Sequence, residues 1–289
     1  MAERLEYVKL TPEVVVDAGC GIGDAHPLLE RRFPDARLVG VDPVVGLLEL
    51  GPRSRVIAML PKSWKQGWPF GAGAGRPAVV AADFEHLPFT GQSIGCIWSN
   101  LALQGVDDPV AVFAEWHRVL RAEGLVMFST LGPDTLKELR AAWSESGRPA
   151  AAAVTDGRVV PSRPAPHVHP FIDMHDIGDM LVHAGFADPV MDMETITLTY
   201  RELDSLFADL RGAGAANSHT ARARGLTGRA RWAAMRRAYE AMRDGETLPA
   251  TFEIIYGHAW KPEPRARPDS DGVARIRIED IGRGGRSGI

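Results

Sequence analysis

Cysteine is scarce: Cys20 and Cys96 are the only two in 289 residues, too few for a disulfide framework or a four-ligand zinc site, and in keeping with a reducing cytoplasm. Long apolar runs are missing too. None approaches the roughly 20 residues that span a bilayer, so no membrane partner is expected. The opening Met1-Ala-Glu-Arg-Leu-Glu6 is charged and lacks the apolar centre of a secretory leader. Neither charge sign dominates: 33 Lys and Arg against 37 Asp and Glu leave a formal net charge of −4, which does not mark a nucleic-acid binder. No internal repeat is found. What is present is a 45% hydrophobic content, enough to bury a sizeable core.

Residues 14–131 alternate between short β-branched runs and longer amphipathic stretches. Strands are expected at 14–18, 37–42, 78–83, 94–98 and 124–128, with helices at 24–33 and 108–120. Strands separated by helices imply right-handed crossovers and a mostly parallel, doubly wound α/β sheet. Further on, 134–143 and 174–184 read as helices, and 189–200 and 251–260 as strands. Residues 201–245 read as a helical cap inserted between those two strands. Gly/Pro-rich stretches at 62–77 and 147–170 read as loops. The expected organisation is one domain over 1–260 and a loosely ordered tail over 261–289.

The strongest local signal is Asp17-Ala-Gly19-Cys-Gly21-Ile-Gly23, directly after the first strand. Open α/β sheets bind ligands at the carboxyl ends of their strands, where this turn lies, and glycine lets backbone approach a ligand closely. The dinucleotide spacing G-x-G-x-x-G fits poorly, because Asp24 takes the last glycine position. An acid there is awkward for a pyrophosphate and suits the ammonium of a methionine moiety, which favours S-adenosylmethionine over NAD. Two more acids close the next strands. Asp42 is positioned to accept ribose hydroxyls; Asp83, with Phe84 after it, can take the adenine amino group and cover the ring. The same strand-end acids are also residues that cap a following helix.

This order resembles the class I S-adenosylmethionine methyltransferases. The resemblance implies a seven-stranded Rossmann-like sheet whose last strand, 251–260, runs antiparallel. It also implies cofactor contacts from Asp17, Gly19, Gly21, Gly23, Asp42, Asp83 and Phe84, with Asn100 and Leu101 facing the methionine end. More specific segments are Trp98-Ser-Asn-Leu-Ala-Leu-Gln104, Phe171-Ile-Asp-Met-His-Asp-Ile-Gly178, Asp209-Leu-Arg-Gly-Ala-Gly-Ala215 and Gly225-Leu-Thr227. They resemble the malonyl-acyl-carrier-protein O-methyltransferases of biotin synthesis. That family implies methylation of a free malonyl carboxylate on an acyl-carrier protein.

The cap suits such an acidic partner. Residues 211–243 carry eight arginines, with Glu240 the only acid. Arg222, Arg224, Arg229, Arg236 and Arg237 are carrier-docking candidates, and Arg211 is the candidate for holding the substrate carboxylate; a solvated helix face is the alternative. His167, His169 and His175 complete no recognised metal site, so no metal is expected. Trp98 and Trp143 belong to the core or to the acceptor pocket, and Met174, Met180, Met191 and Met193 to the core. The resemblance departs in three places. No helix with an aromatic residue is read ahead of residue 14, where the family folds one over the cofactor. Gly105 stands where Trp is common, and Pro170 where a basic residue is frequent. Three other functions stay open: an arginine hydroxylase of complex I assembly, a quinone-precursor methyltransferase and a non-catalytic binding protein.

Overall fold

The computed structural model describes residues 1–51, 55–57, 78–147, 154–155, 158–159, 166–223 and 225–264. The Gly/Pro-rich stretch at 62–77 and the tail from residue 265 lie outside them.

The first strand, β1 (Val14–Ala18), runs parallel to β2 (Arg37–Asp42) on one side and to β5 (Ile94–Asn100) on the other. Its alternation sorts side chains to two faces. Val15 joins Leu29 and Phe33 of helix α2 (His26–Arg32). Val16 and Ala18 join Val112, Phe113 and Trp116 of helix α4 (Pro109–Val119). Burial on both sides is what a parallel strand needs. Helix α4 starts where the sequence says it should, because Asp108 Oδ1 accepts from the Val110 and Ala111 amides at 3.0 and 3.1 Å and Pro109 takes the first turn.

Strand β4 (Ala78–Ala81) lies outside β2, and the short β3 (Arg55–Ile57) outside that; helix α3 (Val45–Leu50) packs Leu48 against Val79 and Ala81 of β4. On the other flank come β6 (Leu120–Leu131), then β10 (Leu248–Trp260) and β9 (Ala187–Tyr200), with β10 antiparallel to both neighbours. The order β3-β4-β2-β1-β5-β6-β10-β9 contains the seven expected strands, including the antiparallel one, plus the three-residue β3 at the edge. Strand β6 begins at Leu120, directly at the end of α4, four residues before the expected start. Lys261 Nζ secures this junction by donating to the His117 and Leu120 carbonyls at 2.7 and 2.8 Å. A separate two-stranded hairpin, β7 (Val154–Thr155) and β8 (Arg158–Val159), falls within the expected 147–170 loop.

The cap is two helices, α7 (Leu203–Gly212) and α8 (Arg229–Glu240), joined by an irregular segment. With helix α5 (Lys137–Ser146) they enclose a second core of Leu139, Trp143, Leu206, Met235 and Tyr239. Because β10 runs antiparallel to β6, its first residues Leu248 and Ala250 extend past the carboxyl end of β6 and complete that core. The cap therefore stands at the end of the sheet where the glycine turn lies. Glu253 anchors the chain leaving β6, accepting from the Asp134 amide at 2.7 Å.

Helix α6 (Met174–His183) is capped by Asp173, whose side chain accepts from the His175 amide. Its own Met174 and Met180, with Met191 of β9, pack partly buried against the main core, as expected, whereas Met193 is 47% exposed. A short helix absent from the sequence reading, α1 (Ala2–Glu6), buries Leu5 on the α2 face, and Arg32 donates to the Leu5 and Val8 carbonyls. Tyr7, the aromatic beside this helix, is 86% exposed. No helix among the described residues is long and apolar enough to cross a membrane.

Candidate active site

At the end of β1 the chain turns back over β2: the Gly19 and Cys20 amides both donate to the Val41 carbonyl, at 2.7 and 3.1 Å. Gly19, Gly21 and Gly23 all have positive φ, +83°, +52° and +86°, a region costly for residues with a Cβ. Space constrains them differently. A Cβ on Gly19 would stand 2.2 Å from that of Ala102, in the loop leaving β5, whereas one on Gly21 would meet nothing within 4 Å. The turn is thus wedged against β5 at its base and open at its tip.

Asp42 ties the turn to β2. Its Oδ2 accepts from the Gly21 amide at 2.9 Å and its Oδ1 from the Val44 amide at 2.8 Å. Each carboxylate oxygen has a second lone pair, so both can still accept a ligand hydroxyl. Asp83 is exposed, and its Oδ1 accepts from the Glu85 amide at 3.1 Å, closing a turn; no helix follows for it to cap. Phe84 is buried, with its ring against Gly19 and the α4 core, so it floors the turn.

Sequence reasoning missed a partner of Asp17. His26 is packed so closely that a Cβ on Gly23 or Gly40 would lie 2.7 or 2.9 Å from its ring nitrogens. Its Nε2 faces Asp17 Oδ2 at 3.4 Å, both residues are 2% exposed, and neither atom has a hydrogen bond among the described residues. Burial, and then the nearby Asp42 charge, push the Asp17 carboxyl up to about 7, while burial lowers the His26 imidazole. The pair is therefore close to neutral, with one acid oxygen unclaimed. The signal for His26 was present in the two glycines that make room for it.

The end of β5 carries backbone strain. Leu101 has φ +50° and a 41% exposed side chain, an unfavourable conformation for leucine. It is held by its amide, which donates to the Ser129 carbonyl and hydroxyl at 3.0 and 3.1 Å, and by its carbonyl, which accepts from Gln104. Asn100 Oδ1 accepts from the same Ser129 hydroxyl at 2.8 Å. Asn100 and Leu101 thus form one hydrogen-bonded unit beside Gly19. A Cβ on Gly105 would meet open space, so the residue leaves room next to this unit.

The arginines of the cap divide. Arg222, Arg229 and Arg237 are exposed, and Arg224 lies outside the described residues. Arg236 is not free: its guanidinium pairs with Asp204 of α7 at 2.5 and 3.2 Å, so an acid outside the 211–243 stretch corrects the expectation of a uniform patch. Arg243 likewise pairs with Glu240 at 2.7 Å. Arg211 is exposed in the last turn of α7. No metal-binding cluster is found among the described residues, and His175 pairs with Asp173 at 2.8 Å. A cavity of about 280 Å³ lies elsewhere, beneath α1, lined by Arg4, Tyr256 and His258 among others; no residue of the glycine turn lines it.

Comparison with known proteins adds three findings. The family profile described as "Methyltransferase domain" matches residues 16–128, the stretch from β1 to β6. Among curated proteins, the chain is 46% identical to a malonyl-[acyl-carrier protein] O-methyltransferase of Gallionella capsiferriformans, over 96% of this chain and 86% of that one. It is 48% identical to a protein of that name from Nitrosospira multiformis, over 92% of this chain and 81% of that one. Among solved structures, the fold is similar to the YcgJ protein of Bacillus subtilis, with a TM-score of 0.53, 14% identity, and coverage of 91% of this chain and 97% of that one.

Proposed function

Because the chain belongs to the malonyl-[acyl-carrier protein] O-methyltransferase family, we propose that it methylates the free carboxylate of a malonyl thioester held on an acyl-carrier protein, in biotin synthesis. It is an S-adenosylmethionine-dependent methyltransferase. The observation that carries the substrate assignment is the near-half identity to the two relatives over more than nine-tenths of this chain, a span too long to leave out the cap. It favours this reading over arginine hydroxylation, quinone methylation and partner binding alone.

The residues at the turn fit the cofactor. Asp17 supplies a buried carboxyl whose Oδ2, facing His26, has no hydrogen-bond partner among the described residues, an acid suited to the methionine ammonium, and the open space at Gly21 admits a ligand against the backbone. Asp42 takes the ribose hydroxyls with its remaining lone pairs, and Asp83 the adenine amino group. Phe84 keeps Gly19 in place beneath them, with Gly23 closing the turn over His26. Asn100 and Leu101 line the methionine end. The sulfonium of S-adenosylmethionine supplies an electrophilic methyl group. A malonyl carboxylate is already ionised near pH 7, so no general base is needed; the protein has to align the carboxylate and exclude water. The cap over the sheet end supports the second task, and exposed Arg222, Arg229 and Arg237 support docking of an acidic carrier. We also assign the reaction to the cytoplasm, a reducing compartment that suits two free, buried thiols.

Intact-protein mass spectrometry of malonyl-loaded carrier, incubated with this protein and S-adenosylmethionine, tests the assignment. One added methyl group is expected on malonyl-loaded carrier and none on acetyl-loaded carrier. Equal methylation of both, or of neither while the cofactor binds, removes the carboxylate from the proposal.

Cofactor affinity is expected to depend on pH. In the free protein Asp17 holds a proton up to about pH 7, and an ammonium beside it favours the ionised form. Binding therefore releases a proton, and affinity rises with pH, roughly tenfold from about pH 5.5 to about pH 7. The same raised carboxyl lowers fold stability as pH rises from its ordinary value of 3.8 through about 7. Calorimetric titration in two buffers of different ionisation enthalpy measures the proton release. An equally steep affinity profile in Asp17→Asn would assign the effect to another group.

A further inference from the structure

Arg231 differs from every other described arginine of the cap. Its residue is half-buried in the first turn of α8, where the helix dipole disfavours a cation. The Nε and Nη2 atoms are buried and have no hydrogen-bond partner among the described residues. Neighbouring Arg236, by contrast, has Asp204. A guanidinium with two buried donor nitrogens left unbonded is costly unless something binds them.

Its surroundings are built. The guanidinium carbon lies 5.7 Å from the Trp143 ring centroid. His167 stacks on the same indole at 3.6 Å with an interplanar angle of 5°. The His167 Nε2 is also buried without a partner. The segment bearing His167 is clamped on both sides: Asn217 donates to the Pro166 carbonyl at 2.8 Å, and Ser218 meets His169 Nε2 at 3.1 Å. Trp232 packs on Trp143 at 5.8 Å and Phe207 on Trp232 at 5.3 Å, which fixes the aromatic wall. Burial and the Arg231 charge both keep the His167 imidazole neutral, and a neutral imidazole can still donate through Nε2–H.

We propose that Arg231 and His167 form an oxyanion subsite against the Trp143 ring, where the acceptor's carboxylate or the phosphate of its phosphopantetheine arm is held. The identity of that oxyanion rests on the function proposed above; the subsite rests on the two orphaned donors alone. Three buried donor nitrogens, two from a guanidinium and one from an imidazole, match the acceptor-only character of an oxyanion. The aromatic wall lowers the local dielectric and strengthens each bond. Where the oxyanion is the carboxylate, Arg231 takes the role that sequence reasoning gave to Arg211, which is exposed.

Two probes separate the sources: malonyl-N-acetylcysteamine, with a carboxylate and no phosphate, and phosphopantetheine, with a phosphate and no carboxylate. Binding to the full chain is followed by tryptophan fluorescence, since Trp143 and Trp232 line the subsite. One probe is expected to bind Arg231→Gln at least tenfold more weakly than wild type, with partial recovery in Arg231→Lys and a smaller loss in His167→Gln. The probe affected identifies the oxyanion. Cofactor affinity in Arg231→Gln should stay at the wild-type value and Tm should not fall below it, which separates the effect from unfolding. Equal affinity of both probes for wild type and Arg231→Gln, or binding of neither to wild type, overturns the subsite. These readouts do not need turnover, so failure of carrier methylation with probe binding retained would sink the proposed function and leave the subsite standing.

Discussion

Asp42→Ala is expected to abolish cofactor binding at ordinary concentrations while leaving the protein folded. The carboxylate does two jobs. It accepts the Gly21 and Val44 amides at 2.9 and 2.8 Å, which sets the open tip of the turn, and its remaining lone pairs receive the ribose diol. Hydrogen bonds to a charged group contribute about 1.5–3 kcal/mol each, so losing two weakens binding by at least roughly 100-fold. Freeing the Gly21 amide adds to that loss, because a loosened tip must be ordered again on binding. Asp42→Asn separates the parts. One amide oxygen can still accept, so a loss intermediate between wild type and Asp42→Ala is expected. Titration calorimetry with S-adenosylmethionine provides the affinities and thermal melting the stability. Wild-type affinity in Asp42→Ala would show that the ribose lies elsewhere.

The place of Asp42 at the end of β2 also marks where sequence reasoning works. Its position follows from a β-branched run that must end at an acid about 20 residues after the glycine turn, a pattern carried entirely by local chain chemistry. The same holds for β1, for α4 with its Asp108-Pro109 start, and for the antiparallel β10. Tertiary placement is another matter. Asp204 and Arg236 stand 32 residues apart, and nothing in either segment announces that α7 and α8 bring them together. Arg231 and His167 meet only through Trp143, from a third segment, which stacks on one and lies beside the other. Helix α1, with five residues, is too short to show a helical period. Strand β6 was read short because Leu120 passes straight from helix to strand with no glycine or proline to mark the change.

Within the turn itself, Gly19→Ala and Gly21→Ala are expected to fail in different ways. Both place a Cβ at positive φ, which costs about 1–2 kcal/mol in each. At Gly19 the new carbon would also stand 2.2 Å from the Ala102 Cβ and 3.4 Å from the Phe84 ring. Neither neighbour can yield cheaply, since Ala102 follows the strained Leu101 and Phe84 is packed in the α4 core. Gly19→Ala should therefore lose more than about 2 kcal/mol, lowering Tm by roughly 4–8 °C, and lose cofactor affinity with it. At Gly21 the protein leaves the space empty, so only the conformational cost falls on stability. Yet that empty space is where the proposed cofactor approaches the backbone. Gly21→Ala should lower Tm by only a few degrees and still weaken S-adenosylmethionine binding by at least roughly tenfold, more than its strain accounts for. Melting curves and calorimetric titrations on the two variants make the comparison. Near-wild-type affinity in Gly21→Ala would mean the cofactor does not lie against the tip of the turn, and wild-type Tm in Gly19→Ala would mean the turn is not wedged against Ala102.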